Sequence, residues 1–301
     1  MNLPTSRPLW VAAGLVLAMA ATMPAACGGS ASSAPPPART AHFDQQLHDL
    51  LPQAIRDQGF IQVGTDASYA PMESFAPDGR TIIGMEPDLG VEIGRVLGVR
   101  LQFAQTDFSE LLGNVGRGNP ELGMSAMTDT PERAKTADFV NYFTAGTSIV
   151  VQSGNPAGIT EISDLCGKVV AVQSDTTQVD LLARTQHNCG SQPIIVKTYP
   201  TNSDALMQVR TGRAAAVLND FSAATFLVND VRTRSQYQLA STSQYEPGLY
   251  GIVVAKFQTG LREAVQGALE QLMRSGVYAD VLARWHVQSA AVQVITVNSG
   301  R

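Results

Sequence analysis

Short apolar runs alternate with amphipathic stretches along most of the chain, and turn residues separate them. FIQVGTD at 60–66 has the length and composition of a strand, whereas PDLGVEIGRVLG at 87–98 repeats its apolar residues at helical spacing and stops at a glycine. The same succession recurs at 168–173 and at 214–219, where KVVAVQ and AAAVLN each run into a helical pattern. This alternation predicts an α/β fold.

The first residues have a different pattern. Arg7 precedes the apolar run Leu9–Met23, which is shorter than the ~20 residues of a membrane span, and Ala25 and Ala26 follow before Cys27. We interpret residues 1–26 as a cleaved export signal. The position of Cys27 resembles the lipobox of bacterial lipoproteins, in which this cysteine carries the lipid anchor, and the alternative is an ordinary signal peptide with a stray thiol.

Residues 27–40 are rich in Gly, Ser and Pro and contain little apolar surface, which predicts a flexible tether. Apart from Cys27, the chain has only Cys166 and Cys189. An even remainder in an exported protein favours a disulfide, which would stabilise the fold by about 3 kcal/mol in the chain-entropy interpretation. Two buried free thiols are the alternative.

Composition and charge exclude several classes of function. The 301 residues are 44% hydrophobic, and 26 acidic against 21 basic residues give a net charge of −5 without a basic stretch suited to nucleic acid. The four histidines match no metal-ligand spacing, and GNVGRG at 113–118 lacks the order of a dinucleotide loop. With no Walker loop and no nucleophile elbow, we predict no catalytic residue, no cofactor and no metal.

Polar residues follow three of the predicted strands. Ser125 and Thr128 come after the first of these strands, and Thr130 with Pro131 has the pattern of a helix start, which would put Arg133 in a first helical turn. The first turn of a helix carries unpaired N–H groups and partial positive charge, so an arginine there is unfavourable unless an anion binds to it. Arg133 is therefore a candidate anion ligand.

The other two places complete a ligand hypothesis. Thr176 and Thr177 open a helix whose free N–H groups favour a negative oxygen, and Asp220 ends the strand at 214–219. In open α/β sheets, ligands bind at this edge of the strands. A guanidinium and backbone amides suit a carboxylate, while Asp220 suits an ammonium, so the combination points to an α-amino acid.

Each of these residues also has an ordinary structural interpretation. Asp220, Thr176 and Thr177 would then cap the helices that follow them. Arg133 would form a surface ion pair, worth ~0–1 kcal/mol, with one of three nearby acids: Glu132, Asp129 or Asp138.

A series of motifs resembles one known family. VGTDASYAPMES at 63–74, GMSAMTDTPERAKTADF at 123–139, GKVVAVQSDTTQ at 167–178 and GVYADVLARW at 276–285 are similar, in order, to the extracytoplasmic solute-binding proteins of polar amino-acid ABC importers. The resemblance runs from about Phe60 to Val287. It implies the two-lobed periplasmic-binding-protein type II fold, with two hinge-crossing segments.

The resemblance also implies domain boundaries and residue roles. Lobe 1 would comprise 41–145 plus 249–301, and lobe 2 would comprise 146–248. Arg133 matches the clamp for the ligand α-carboxylate, Thr176 and Thr177 match donors on the other lobe, and Asp220 matches the acid that binds the α-ammonium. The complete set of expected ligand-binding residues is Asp66, Tyr69, Phe108, Ser125, Ala126, Thr128, Arg133, Thr176, Thr177 and Asp220.

Some positions depart from the family pattern. Ala126 stands where many members have glycine or a small polar residue, and Asp175 occupies a position where glycine is customary, beside the anion-binding turn. Three acids, Asp66, Glu73 and Glu86, would favour a basic side chain if they face the cleft. We therefore expect a polar or basic amino acid as ligand.

The resemblance implies a lipid-anchored monomer at the outer face of the cell membrane. Such a protein would capture a free amino acid and deliver it to the membrane subunits of an ABC permease, without enzymatic activity. One alternative is an enzyme similar to periplasmic cyclohexadienyl dehydratases, which act on prephenate or arogenate. Another is a lipid-tethered amino-acid sensor.

Overall fold

The computed structural model describes residues 39–300. The predicted signal sequence, Cys27 and nearly all of the tether lie outside these residues. Within residues 39–300, no helix has both the length and the apolar character needed to cross a membrane. The strands are β1 Phe60–Thr65, β2 Ser68–Tyr69, β3 Glu73–Phe75, β4 Ile82–Ile83, β5 Arg100–Gln105, β6 Leu122–Gly123, β7 Ala137–Gln152, β8 Val169–Gln173, β9 Ile195–Tyr199, β10 Ala216–Asp220, β11 Tyr237–Leu239, β12 Tyr245–Ala255 and β13 Ala291–Val297.

The helices lie between these strands in the alternation that the sequence predicts. Short 3₁₀ turns occur at Arg133–Lys135, Ile162–Leu165, Gln186–Asn188 and Gln288–Ala290. The α-helices are α1 Gln45–Asp49, α2 Gln53–Gln58, α3 Met85–Leu97, α4 Phe108–Gly116, α5 Thr177–Thr185, α6 Asn202–Arg210, α7 Phe221–Asn229, α8 Thr259–Ser275 and α9 Val277–Arg284.

A mixed sheet connects most of the strands in the order β5-β1-β6-β12-β7-β10-β8-β9. At one end β1 runs parallel to β5 and β6, and at the other end β8 runs parallel to β9 and β10. The long strands β7 and β12 pair antiparallel between these ends, and β11 and β13 also pair with β7. Two parallel half-sheets are thus joined through two long strands.

Each half of the sheet has its own hydrophobic core. Around β1, the helices α3, α8 and α9 bury side chains such as Ile61, Leu89 and Leu269. Around β8 and β10, a separate cluster includes Leu182 and Leu218. We call the first part lobe 1 and the second part lobe 2. The predicted two-lobed α/β fold is confirmed.

Two helix ends show why the local sequence signals work. α3 stops at Gly98 and α8 stops at Gly276, and both glycines have the left-handed conformation, with φ of +67° and +80°. Side chains other than glycine rarely adopt this conformation, so glycine at this position ends a helix efficiently. The sequence therefore locates these two boundaries correctly.

The predicted helix start before Arg133 is wrong. Only the single 3₁₀ turn Arg133–Lys135 forms, and the chain enters β7 at Ala137, which pairs with Ala255 of β12. The long strand pairing overrides the local helix signal after one turn. A short 3₁₀ turn has little macrodipole, so the electrostatic argument that singled out Arg133 does not apply, although the residue it identified lies in the candidate site.

Cys166 and Cys189 form a disulfide in lobe 2, with their Cα atoms 5.3 Å apart. Cys166 follows the 3₁₀ turn Ile162–Leu165, and Cys189 follows the 3₁₀ turn Gln186–Asn188. The bond therefore joins two loop segments that flank β8 and α5 in the chain.

Replacing both cysteines by serine is expected to lower the free energy of unfolding by about 3 kcal/mol, because the open chain gains conformational entropy when it unfolds. Urea denaturation monitored by circular dichroism measures this difference. The reduced wild-type protein is the control and should match the double variant. Equal stability of the oxidised wild type and the double variant would contradict the prediction.

Candidate functional site

The ends of four strands from both lobes meet at one cavity. Asp66 follows β1, Ser125 follows β6, Gln173 ends β8 and Asp220 ends β10. The cavity has an empty volume of about 440 Å³, which includes open solvent at its mouth. Every residue predicted to bind the ligand lines it: Asp66, Tyr69, Phe108, Ser125, Ala126, Thr128, Arg133, Thr176, Thr177 and Asp220.

Arg133 reaches from lobe 1 to lobe 2. Its Nη1 donates to the carbonyl of Thr128 at 2.9 Å, and its Nη2 donates to the carbonyl of Asp175 at 2.6 Å. The guanidinium carbon lies 5.7 Å from the centroid of the Phe108 ring, within cation–π range. Because a guanidinium has five N–H donors, these two contacts fix its orientation and leave donors for an anion in the cavity.

The alternative surface ion pair does not form. Glu132 pairs with Lys135, and Asp138 pairs with Lys256 and Arg262. Across residues 39–300, Arg133 contacts carbonyl oxygens rather than a carboxylate. Burial lowers the pKa of its guanidinium, and three acids beyond it, Asp180, Asp220 and Asp175, act in the opposite direction. The side chain stays cationic and is available to a ligand.

Asp220 presents a buried carboxylate from lobe 2, with 6% of the residue exposed. Its Oδ2 accepts hydrogen bonds from the hydroxyls of Tyr69 at 2.9 Å and Tyr250 at 2.6 Å, and its Oδ1 accepts from Nε2 of Gln178 at 2.8 Å. Asp220 stands at the N-cap of α7, but its side chain makes no capping hydrogen bond. The helix-cap interpretation of Asp220 is therefore wrong.

Opposing effects set the ionisation of Asp220. Burial raises the pKa of its carboxyl, and the hydrogen bonds from Tyr250, Tyr69 and Gln178, together with the charge of Arg133, lower it by less than burial raises it. Burial and the neighbouring Asp220 raise the pKa of Tyr69 well above its usual range, so this phenol keeps its proton as a donor. A cation in the cavity would stabilise the ionised carboxylate.

The turn before α5 contributes the second anion-binding element. Thr176 stands at the N-cap, yet its hydroxyl donates to the carbonyl of Gln173 at 2.8 Å instead of capping the helix. Thr177 is the first helical residue, so N–H groups of the first turn are free of partners within the helix. Asp175 adopts φ +60°, the left-handed conformation that favours glycine. Its side chain is exposed.

Two further acids lie on the lobe 1 side of the cavity. Asp66 accepts from Gln173 Nε2 at 2.6 Å, and its N–H donates to the Ser125 hydroxyl at 2.9 Å. Glu73 accepts from the same hydroxyl at 3.3 Å. The Oε2 atom of Glu73 is buried and has no hydrogen-bond partner within the part of the chain that the structure describes.

Glu86 has a structural role instead. It does not line the cavity; its Oε1 accepts from the N–H of Ala126 at 2.8 Å and from the hydroxyl of Tyr142. Ala126 has φ +47°, so Glu86 supports a turn that an alanine rarely adopts. Burial and the nearby Glu86 raise the pKa of Glu73 well above its usual range, which favours its protonated form.

Sequence reasoning missed several residues at the cavity. Tyr250 donates to Asp220 from the buried strand β12, where nothing in an apolar run distinguishes a functional tyrosine from a core one. Gln178 lines the cavity and ends the motif GKVVAVQSDTTQ, yet it is absent from the set of expected ligand-binding residues. Gln173, Asn202, Leu218 and Asn219 also line the cavity, as does Glu73, which the sequence analysis names only as an acid that would favour a basic side chain. In residues 39–300, no group of three or more His, Cys, Asp or Glu side chains has an arrangement that could hold a metal ion.

Two α/β lobes with a polar cavity between their strand ends define a two-lobed binding protein. The sequence matches the bacterial extracellular solute-binding proteins, family 3, over residues 61–288, and the chain belongs to this family. It is 25% identical over 257 residues to the arginine-binding protein ArgT of Corynebacterium glutamicum, covering 84% of this chain and 83% of ArgT.

Two solved structures are similar in fold. The P235GK mutant of ArgBP from T. maritima has a TM-score of 0.69 and 30% identity, and the match covers 80% of this chain and 99% of that one. The ancestral amino acid-binding protein AncCDT-1, described as a precursor of cyclohexadienyl dehydratase, has a TM-score of 0.67 and 27% identity, and the match covers 77% and 97%.

Proposed function

We propose that this protein binds a free amino acid with a cationic side chain between its lobes and delivers it to an ABC import permease. The observation that carries the proposal is the pair Arg133 and Asp220, which line one cavity from opposite lobes. A guanidinium fork suits a carboxylate, and a buried carboxylate suits an ammonium. These are the two charged groups that every α-amino acid carries on one carbon.

The charge balance of the cavity favours a basic side chain. Three acids, Asp66, Glu73 and Asp220, and one base, Arg133, line it. Even if Glu73 is left out because its raised pKa favours the neutral form, the acids outnumber the base by two to one. Uncompensated charge is costly in a buried site, so a ligand with net charge +1 complements the cavity better than a neutral one. The α-ammonium would bind Asp220, and the side-chain cation would lie near Asp66.

The names of two relatives support the same ligand class. ArgT is named an arginine-binding protein, and ArgBP of T. maritima was solved in a form described as holo. Because the identities are only 25% and 30%, these names support an amino-acid ligand more strongly than arginine itself. The preference for a basic amino acid rests instead on the acids that line the cavity, which are Asp66, Glu73 and Asp220.

Contacts between the lobes support a closing mechanism. Arg133 reaches the Asp175 carbonyl, Tyr69 reaches Asp220, and Gln173 reaches Asp66, so each lobe donates across the cavity. A ligand that touches both lobes stabilises the closed form because it interacts with that form more strongly than with an open one. β7 and β12 would carry the hinge, with lobe 1 formed by 41–145 plus 249–301 and lobe 2 by 146–248.

The cellular location of the protein is part of the proposal. The signal pattern at 1–26 and the position of Cys27 support a protein held at the outer face of the cell membrane by a lipid on this cysteine, and the monomeric state is proposed from the family resemblance alone. Metabolic labelling with a radioactive fatty acid tests the anchor. Label in the wild type and none in Cys27→Ser is expected, and equal labelling of the two proteins would contradict lipidation at Cys27.

A thermal-shift screen against the twenty amino acids tests the ligand class. A ligand present at 100 times its dissociation constant adds ~2.7 kcal/mol to apparent stability, so binding is readily visible. Arginine or lysine is expected to give the largest shift, and glutamate and aspartate none. A largest shift with an acidic amino acid would overturn the charge argument, and no shift with any amino acid would overturn the proposed function.

Removing the charge of Asp175 is expected to tighten binding of the amino acid by about 0.3–1 kcal/mol, because an exposed carboxylate beside the anion-binding turn repels the ligand carboxylate. Asp175→Asn keeps a side chain that tolerates φ +60° and isolates the charge effect. Titration calorimetry at low and high salt measures it. The gain should shrink at high salt. Weaker binding by Asp175→Asn at both salt concentrations would contradict the prediction.

A dehydratase activity is the second candidate function. It is favoured by Glu73, a buried acid that lines the cavity and whose raised pKa favours the protonated form that a general acid needs. AncCDT-1 is itself an amino acid-binding protein, described as a precursor of a dehydratase. Incubation with prephenate, monitored for phenylpyruvate, separates the candidates. We expect no product above the uncatalysed rate. Catalysed product formation that is lost in Glu73→Gln would establish the enzyme instead.

A further inference from the structure

The chain beyond the family match forms an additional structural element. The match ends at residue 288, and the following residues complete a 3₁₀ turn, form β13 and continue to Gly300. We call residues 289–300 the strap. It lies along β7, the long strand that passes through both lobes, and it pairs with the part of β7 at Val140–Phe143.

The strap is attached to β7 by side chains as well as by strand pairing. The N–H of Phe139 donates to Oδ1 of Asn298 at 2.8 Å, and Nδ2 of Asn298 donates to Asp138 at 2.9 Å. The hydroxyl of Thr296 and the N–H of Ser299 both donate to Oδ1 of Asn141, at 3.0 and 3.2 Å. These contacts fix the direction in which the strap leaves β13.

The end of the strap contacts Asp129. The N–H of Gly300 donates to Oδ2 of Asp129 at 2.8 Å, and Nδ2 of Asn141 donates to the same oxygen at 3.0 Å. Asp129 is only 1% exposed. The backbones approach so closely that a Cβ atom on Gly300 would lie 2.0 Å from the carbonyl oxygen of Asp129. Only glycine fits at this position without moving the strap.

Asp129 lies between the strap and the anion-binding side chain. Its neighbour Thr128 lines the cavity, and the Thr128 carbonyl accepts the hydrogen bond that orients Arg133. The backbone N–H of Asp129 donates to the carbonyl of Leu249 in β12 at 2.7 Å. The segment 128–133 is therefore held by β12 through its backbone and by the strap through the Asp129 side chain.

We propose that the strap positions the 128–133 segment so that Arg133 is oriented for the ligand carboxylate before the ligand arrives. Asp129 acts as a positioning residue through Thr128, and Gly300 is the strap residue that holds it. Preorganised side chains of this kind bind more tightly because less ordering is needed upon binding. The identity of the ligand in this inference rests on the proposed function. The link, by which the strap holds the 128–133 segment through Asp129, does not.

Three variants of the protein test the link. Gly300→Val displaces the end of the strap from Asp129, and a stop codon after Val297 removes the end entirely. Ser299→Ala is the matched control, because the Ser299 hydroxyl donates only to Val297 within the strap. Hydrogen exchange of peptides covering 127–135, in the absence of ligand, is the first measurement. Faster exchange there in the two disruptive variants is expected, with unchanged exchange in α5 and α8.

Calorimetry with arginine and with argininamide is the second measurement. Argininamide keeps the ammonium and the guanidinium but has no carboxylate. Affinity for arginine is expected to fall about tenfold in the disruptive variants, the size expected when one hydrogen bond to a charged group is lost, while affinity for argininamide stays the same. If the strap only stabilised the fold, the disruptive variants would lose affinity for arginine and argininamide equally, or for neither.

The outcomes separate this inference from the proposed function. Unchanged exchange at 127–135, or equal losses for arginine and argininamide, would overturn the positioning role. If the wild type binds no amino acid, the proposed function fails, and the exchange measurement alone then decides the link. Faster local exchange in both disruptive variants supports it in that case, and wild-type exchange contradicts it.

Discussion

Replacing Arg133 by alanine is expected to weaken binding of the basic amino acid by roughly 2–5 kcal/mol, because the ligand carboxylate then loses its charged partner in a desolvated cavity. The stability of the free protein should change little, since Arg133 donates to two carbonyls and forms no ion pair with the acids of residues 39–300. Titration calorimetry with arginine and lysine measures the loss.

Two further variants test whether the loss comes from the guanidinium of Arg133. Arg133→Lys keeps the charge but removes the two-donor fork, so it should recover only part of the affinity. Arg117→Ala is the matched control, because the Arg117 side chain is exposed and donates to Asn114 on α4, away from the cavity. Wild-type affinity in Arg133→Ala would show that the carboxylate binds elsewhere.

The Asp220→Asn variant is expected to lose binding by a similar roughly 2–5 kcal/mol, because the amide cannot neutralise the α-ammonium. The free energy of unfolding of this variant, in contrast, should not fall. Burial raises the pKa of Asp220, so protonation stabilises the folded state below the unfolded pKa, and this stabilisation is lost as pH rises through the folded pKa. Above the folded pKa, ionising the buried Asp220 carboxyl costs folding free energy. The amide side chain in Asp220→Asn carries no charge and avoids this cost, so the variant should be at least as stable as the wild type at neutral pH.

Asp138→Asn is the control for this prediction, since Asp138 is buried outside the cavity. Burial raises the pKa of Asp138, but hydrogen bonds from Lys256, Asn298 and Arg262 outweigh it and hold the pKa below its usual value. Asp138 therefore stabilises the fold above its unfolded pKa, and this stabilisation is lost as pH falls through the folded pKa. Asp138→Asn should lower stability at pH 7, and because Asp138 also accepts from Asn298 of the strap, any loss of affinity should stay within the about tenfold expected for the strap variants. Lower stability with unchanged affinity in Asp220→Asn, or lower affinity with unchanged stability in Asp138→Asn, would contradict the assigned roles.

The residues named from the sequence line one cavity, and several of them do so because they follow the ends of strands. β1, β6, β8 and β10 are short apolar runs with clear boundaries, and the polar residues that follow them must meet at one edge when the strands are parallel. Asp66, Ser125 and Asp220 belong to this class. Within each half-sheet this meeting follows from the parallel topology, whereas the approach of Asp220 to Asp66 and Ser125 also depends on how β7 and β12 join the two halves.

Features that depend on tertiary pairing are not predictable in this way. The helix expected before Arg133 is reduced to one turn because β7 pairs with β12 from Ala137 onward. Glu73 and Glu86 look alike in the sequence, yet only Glu73 lines the cavity, since Glu86 accepts hydrogen bonds from Ala126 and Tyr142. Tyr250 contacts Asp220 across the lobes from a strand that carries no functional signal.

The most direct test of the central claim is a crystal structure of the protein with L-arginine bound. The claim predicts one ligand carboxylate oxygen at about 2.7–2.9 Å from the Arg133 guanidinium and the ligand α-ammonium at a similar distance from the Asp220 carboxylate. A ligand bound with its carboxylate away from Arg133, or with its α-ammonium away from Asp220, would contradict it.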